Sequence, residues 1–211
     1  MPNRPGRVPP ATVTRLSLYA RQLENLKNSQ VSVISSDRLA ELCHVNPAQI
    51  RKDLTYFGEF GVRGVGYYVD ELLFQIHKII GLNHPWNLAL VGLGNLGTAL
   101  ACYGNFSLRG YRFVAAFDND PHKIGIHLDC DLEIEPDHRL IEVCRERDIK
   151  IGAIATPAEK AQEVADLLIQ VPIKGILNFA PTQLHVPKGV HLANVDFTGK
   201  LDELAYHLTS S

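Results

Sequence analysis

The residues of this 211-residue chain whose types and spacing could do chemistry begin with Gly92-Leu93-Gly94-Asn95-Leu96-Gly97, a GxGxxG run. Leu88-Ala89-Leu90-Val91 leads into it as a buried strand, and Thr98-Ala99-Leu100-Ala101 continues it as a helix. In that setting Gly92 permits the tight turn, Gly94 lets backbone approach a pyrophosphate, and Gly97 lets the helix pack against the sheet. The anion would sit at the positive helix N-terminus. Asp118 closes the next strand, where a carboxylate accepts hydrogen bonds from adenosine ribose hydroxyls, and Asn119 and Asp120 follow it. An NADP site would want an arginine there rather than two acidic groups beside a 2′-phosphate, so the pattern favours NAD(H). A glycine-rich turn without a ligand, and a surface or helix-capping Asp118, are the plain alternatives.

Other reactive groups offer less. No histidine–carboxylate or lysine–tyrosine pair stands out for proton transfer, so no catalytic residue is nominated and the chain reads as a binder rather than an enzyme. Cys43, Cys102, Cys130 and Cys144 are widely spaced with no CxxC pair, and the nine histidines are scattered, so no metal site is expected. Reduced, packed thiols are the expectation, and Cys102 beside Tyr103 has no charged activator in sequence. No apolar run reaches the roughly 18 residues of a membrane span. The start MPNRPGRVPP lacks the apolar centre of a signal peptide, which points to the cytoplasm.

Charge divides unevenly: residues 1–69 carry nine Lys/Arg against five Asp/Glu, while the remainder is acidic. That basic front half suits phosphate contact only if the elements arrange it. Residues 1–10, with four prolines, read as a mildly basic arm. Val13, Leu16, Ala20 and Leu23 then recur at helical spacing to about Lys27, followed by a short strand at Val31–Ile34. Ser35 or Ser36 caps a second helix that buries Leu39 and Leu42. After a turn at Cys43-His44-Val45, Asn46-Pro47-Ala48-Gln49 supplies an N-cap, a proline at the first position and a glutamine three residues after the cap.

The third helix must start there, with Ile50, Leu54 and Phe57 on its buried stripe and Gly58 as its stop. Gln49, Arg51, Lys52, Thr55 and Tyr56 are left around the other faces. This is helix-turn-helix geometry with a basic second helix. Gly61-Val62-Arg63-Gly64-Val65-Gly66-Tyr67-Tyr68 follows as a hairpin wing bearing Arg63. On a DNA reading all five helix residues face the DNA together with Arg63: Arg51, Lys52 and Tyr56 would meet phosphates and base edges in the major groove, with Gln49 and Thr55 beside them, and Arg63 the adjacent minor groove. A solvated charged face is the alternative. Asp70 is expected to cap a helix through Ile80, and Gly81–Pro85 to link to the next domain.

From Trp86 strands and helices alternate, the pattern of a parallel sheet covered on both faces. The predicted architecture is therefore α/β, with a winged-helix DNA-binding domain at 1–82 and a Rossmann-type NAD(H)-binding domain at 83–211. It ends in an amphipathic helix, about 200–208, with Leu201, Leu204, Ala205 and Leu208 on one side.

Five segments together resemble the Rex family of redox-sensing transcriptional repressors. They are Arg51-Lys52-Asp53-Leu54-Thr55-Tyr56-Phe57-Gly58, Arg63-Gly64-Val65-Gly66-Tyr67, Val91 through Gly97, Gly175-Ile176-Leu177-Asn178-Phe179-Ala180-Pro181 and Asn194-Val195-Asp196-Phe197. The resemblance spans nearly the whole chain. It implies a homodimer that binds a palindromic operator when NADH is scarce and releases it when NADH accumulates, with NADH and NAD+ as ligands and the last helix swapped onto the partner subunit. It also implies that Arg21, Tyr103 and Asp196 link the DNA-binding domain to the nicotinamide pocket, with Phe197 near the ring.

The oxidised nicotinamide ring is cationic and the reduced ring neutral, so an apolar pocket of Phe197, Tyr103 and Ala or Pro residues would favour NADH by desolvation. Two rivals are an NAD-dependent oxidoreductase whose first 82 residues serve oligomerisation, and a CoA-binding regulator that would not need Asp118.

Overall fold

The computed structural model describes residues 8–209, which form two compact units that divide between His84 and Pro85. Of the expected N-terminal arm, residues 1–7 lie outside the described residues, and Pro10 opens the first helix instead of preceding it. A proline at that position costs nothing, because its missing N–H would have had no intrahelical acceptor.

The N-terminal unit comprises α1 (Pro10–Asn28), β1 (Val33–Ile34), α2 (Ser36–Cys43), α3 (Pro47–Thr55), β2 (Tyr67–Tyr68) and α4 (Val69–Ile80). Leu16, Leu23, Leu39, Ile50, Leu72 and Ile76 meet in one core, each such burial stabilising by roughly 1.5–3 kcal/mol. Val13, expected in the buried row of α1, is exposed, and its place is taken by Thr12 and Tyr19. The Ser35 side chain accepts from Arg38 N–H to start α2, and Asn46 Oδ1 accepts from Ala48 N–H at 2.7 Å to start α3. Between them His44 closes α2 in the left-handed conformation, φ 52°. Asp70 is not the cap of α4: Tyr68 holds that position without a side-chain bond, and Asp70 pairs with Lys27 across the surface at 2.9 Å.

The wing is shorter than a hairpin of strands. Val62 and Gly66 exchange backbone hydrogen bonds around a turn at Arg63-Gly64-Val65, and Tyr67–Tyr68 pair antiparallel with Val33–Ile34. Gly66, at φ 109°, passes so close to Ile34 that a Cβ would meet its carbonyl oxygen at 2.4 Å. The wing's exit is thereby fixed against β1.

The C-terminal unit contains β3 (Trp86–Val91), α5 (Asn95–Ala101), α6 (Asn105–Leu108), β4 (Tyr111–Asp118), β5 (Ile134–Pro136), α7 (Leu140–Glu146), β6 (Ile151–Ile154), α8 (Ala158–Leu168), β7 (Gly175–Asn178), β8 (His191–Asn194) and α9 (Phe197–Thr209). Its six strands are all parallel in the order β5-β4-β3-β6-β7-β8. Numbered from β3, that is the doubly wound order 3-2-1-4-5-6. Leu88–Val91 are buried because β3 is central and covered on both faces. Chain direction reverses outward between β3 and β6, which opens a crevice at their carboxyl ends. α6, a single turn, has no counterpart in the sequence reading, and none of the residues of α9 is buried.

Candidate functional site

The crevice is a cavity of about 650 Å³ lined by the ends of β3, β4, β6 and β7. Gly92, at φ 96°, leaves no room for a side chain: a Cβ would lie 2.8 Å from the Ala155 carbonyl. At Gly97 a Cβ would fall 1.9 Å from the Gly92 oxygen, so α5 can begin this close to the sheet only with glycine there. Gly94 differs, since a Cβ on it would meet nothing within 4 Å and its backbone is ordinary extended chain. Packing explains Gly92 and Gly97; at Gly94 the missing Cβ leaves space at the cavity wall that a ligand can fill.

Asp118 stands at the end of β4 beside that turn. Its Oδ2 accepts from Leu93 N–H at 2.7 Å and from Lys123 Nζ at 3.0 Å, and its Oδ1 accepts from Asp120 N–H at 2.9 Å. Burial pushes its carboxyl up, but the Asp120 and Leu93 N–H groups and the Lys123 ammonium more than offset this and hold it below the usual range. It therefore stays ionised, with acceptor capacity left on Oδ1. Across the cavity, Thr156 Oγ1 at the end of β6 is the buried side-chain polar atom without a partner among the described residues. A buried hydroxyl with no partner is costly unless something fills the space it faces.

Asn178, fully buried at the end of β7, shapes the opposite rim. Its Nδ2 donates to the Ala180 and Thr182 carbonyls and to Asn194 Oδ1, and its Oδ1 accepts from Ala180 N–H. That knot turns the chain so that Phe179 and Pro181 line the cavity. Of the residues expected to take nucleotide, Gly92, Gly94, Asn95, Leu96 and Asp118 line the cavity, whereas Leu93 and Gly97 build the turn behind it. Tyr103, Asp196 and Phe197 do not line it.

Tyr103 lies beyond α5, half-exposed, with its ring edge-on to Phe106 at 5.3 Å and its hydroxyl accepting from Asn105 Nδ2. Asp196 Oδ1 accepts from Gly199 N–H in the first turn of α9, and Phe197 is 58% exposed. Lys123, Thr156, Lys160, Phe179 and Pro181 were not expected. Their signal was available at Thr156, which follows the strand beside the glycine turn.

In the N-terminal unit, Arg51, Lys52, Thr55 and Arg63 are exposed, and Tyr56 is half-buried. Arg51 Nη1 donates to Ser36 Oγ at 2.9 Å, which ties the start of α2 to α3. Arg51, Ser35, Ser36 and the wing residues Gly61–Tyr67 line one shallow groove. Thr55 turns its hydroxyl back to the Arg51 carbonyl.

Gln49 does not reach back to complete a capping box: it donates to Asp53 Oδ1 at 2.8 Å. Asp53, 0% exposed, also accepts from Arg15 Nε at 2.6 Å and Arg15 Nη2 at 2.8 Å, Tyr19 OH at 2.8 Å and Thr12 Oγ1 at 3.0 Å. Burial would raise its carboxyl, but Arg15, Tyr19, Gln49 and Thr12 together hold it below the usual range. The partners respond in kind: the bond to Asp53 raises Arg15, and burial followed by Asp53 raises Tyr19. Sequence reasoning missed this clasp. Its signal was three polar residues, Thr12, Arg15 and Tyr19, recurring on the face of α1 that the apolar row also occupies.

Comparison with known proteins agrees with both halves. Residues 7–55 match the family described as putative DNA-binding protein N-terminus, and residues 83–182 the CoA binding domain family. A redox-sensing transcriptional repressor Rex from Syntrophobacter fumaroxidans is 59% identical over 204 residues, 97% of either chain. Another from Carboxydothermus hydrogenoformans is 50% identical over 96% of this chain and 97% of its own. A solved structure of RSP in complex with β-NAD+ and operator DNA superposes with a TM-score of 0.92 at 38% identity, covering 97% of this chain and 94% of that one. RSP in complex with β-NADH gives 0.87 at 36%, covering 97% and 96%.

Proposed function

The chain belongs to the Rex family of redox-sensing transcriptional repressors, and from that premise we propose that it binds operator DNA when NADH is scarce and is released by NADH. The observation that carries the nucleotide half is the cavity at the β3/β6 switch point, with Gly94 presenting bare backbone to it and Asp118 held ionised at its rim. Gly92, Leu93, Gly94, Asn95, Leu96 and Gly97 would hold the pyrophosphate by backbone approach, and Asp118 Oδ1 would accept from a ribose hydroxyl. A bound dinucleotide supplies a nicotinamide ring that is charged when oxidised and neutral when reduced. The apolar stretch of the cavity, including Phe179 and Pro181, disfavours the charged form.

The DNA half is supported by the polar side of α3 and by the wing. Arg51, Lys52, Thr55 and Tyr56 would enter the major groove and Arg63 the minor groove. Gln49, whose amide donates to Asp53, would steady α3 from the side of that clasp. A palindromic operator needs two copies of the reading helix. The exposed row Phe197, Leu201, Leu204 and Leu208 on α9 would be covered by a second copy of the chain. Among the described residues no helix is long and apolar enough to cross a membrane and no group of side chains could hold a metal ion. The working compartment is the cytoplasm, where operators are. Arg21, exposed on α1, together with Tyr103 and Asp196, would transmit the nucleotide state to the DNA-binding unit.

Gel-shift titration of the full chain on operator fragments, with NADH, NAD+ or CoA added, tests the reading. NADH releases DNA at concentrations where NAD+ does not. Equal release by the two nicotinamides, or release by CoA alone, overturns it.

A further inference from the structure

β8 is an edge strand, and none of its four residues is buried. Leu192 alone of them packs against the apolar cluster, so hydrogen bonds to β7 hold the strand more than burial does. At its carboxyl end, where the register pairs Asn178 with Asn194, two bonds close the strand. Val195 N–H donates to the Asn178 carbonyl at 2.8 Å, and Asn178 Nδ2 donates to Asn194 Oδ1 at 3.0 Å. After Val195 and Asp196 the chain enters α9.

The same Nδ2 also serves the cavity rim. It lies 3.2 Å from the Ala180 carbonyl oxygen and 2.9 Å from that of Thr182, in the turn that presents Phe179 and Pro181 to the cavity. A primary amide carries two hydrogens, and here three oxygens stand within bonding range. Two can be well bonded at once, and the third goes short. Ala180 is buried and Asn194 exposed, so Asn194 is the acceptor that water can satisfy when the amide turns away.

We propose that the Asn178 amide is a positioning group that links nucleotide occupancy of the cavity to β8 and α9, holding Asn194 when the cavity is empty and yielding it when the cavity is filled. Phe179 and Pro181 line the cavity, whereas Ala180 between them and Asn178 behind do not. A nucleotide bearing on Phe179 and Pro181 drives Ala180 toward the amide and shortens the longest of the three contacts. Both hydrogens then go to the turn, Asn194 passes to water, and the end of β8 keeps one of its two closing bonds. The bond to Asn194 thereby favours the nucleotide-free state by its own net worth, and binding must overcome it. This deepens the NAD(H) reading above and rests on it.

Asn194→Ala tests the link, because Asn194 is exposed and its loss leaves Asn178 bonded to both turn carbonyls. With the opposing bond gone, NADH affinity in fluorescence titration of the full chain will rise about fivefold, the worth of one net hydrogen bond. By linkage the NADH concentration that releases operator in a gel shift will fall by the same factor. Asn194→Asp, which keeps the accepting oxygen, will match the wild type. In hydrogen exchange, wild-type peptides spanning 190–200 will exchange faster with NADH bound, and those of Asn194→Ala will do so without it. An Asn194→Ala variant with unchanged or weaker NADH affinity, an Asn194→Asp variant that shares the gain, or slower exchange at 190–200 on NADH binding overturns the link alone. A wild type that binds no NADH overturns the reading on which the link rests.

Discussion

Asp53 in the N-terminal unit and Asp118 in the C-terminal unit are both buried carboxylates held ionised below their ordinary range, yet different parts of the chain hold them. Side chains from two helices, Thr12, Arg15 and Tyr19 of α1 and Gln49 of α3, fill the acceptor sites of Asp53. Two backbone N–H groups and one half-exposed lysine hold Asp118, which faces a cavity rather than a helix. A carboxylate saturated by side chains is a clasp, with nothing left to offer a ligand. One held from behind by backbone keeps its outer acceptor for whatever enters, because the backbone donors are fixed whether or not a ligand is present.

The largest way to break this contrast is Asp53→Ala. It strands the Arg15 charge and three polar donors, and it will lower stability by about 3–5 kcal/mol in urea unfolding. NADH affinity of the folded fraction will be unchanged; a matching loss of affinity would erase the distinction. Asp118→Ala comes next, with NADH affinity falling about ten- to hundredfold in fluorescence titration, the value of a hydrogen bond to a charged group. Its loss of stability will stay below that of Asp53→Ala.

Acid separates the two further. Because the folded carboxyl of Asp53 lies below its unfolded value, the stability it adds is complete well above the unfolded pKa. That stability is lost from about pH 5 downward as the pH falls toward the folded value. The urea midpoint of Asp53→Asn will start lower than that of the wild type and fall less steeply over that window; parallel curves would assign the acid sensitivity elsewhere. The smallest effect belongs to Lys123→Met, which removes a partly exposed ion pair worth at most about 1 kcal/mol, so NADH affinity will change by no more than about fivefold. A larger loss would make Lys123 a ligand contact in its own right.

Much of this was legible in residue order. The caps at Ser35 and Asn46, the glycine turn at 92–97 and the alternation of strands and helices after Trp86 are local signals, set by backbone sterics and by hydrogen bonds within a few residues. The wing was read as a pair of strands because its glycines and β-formers fit one. The chain instead spends Tyr67 and Tyr68 on β1, and leaves only a one-bridge turn beyond. Gln49 was read with the DNA-facing residues because the apolar stripe of Ile50, Leu54 and Phe57 leaves it off the buried face. Its own side chain follows the buried Asp53 four residues on.

The sequence by itself determined the two modules, the nucleotide turn and the row of apolar residues along α9, since each depends on spacing along one segment. Only the tertiary structure decided that Thr12, Arg15 and Tyr19 close on Asp53, and that Thr156 faces the cavity that Asp118 guards. Each of these joins residues from separate elements, and such meetings follow from how helices and strands pack, which no local spacing encodes.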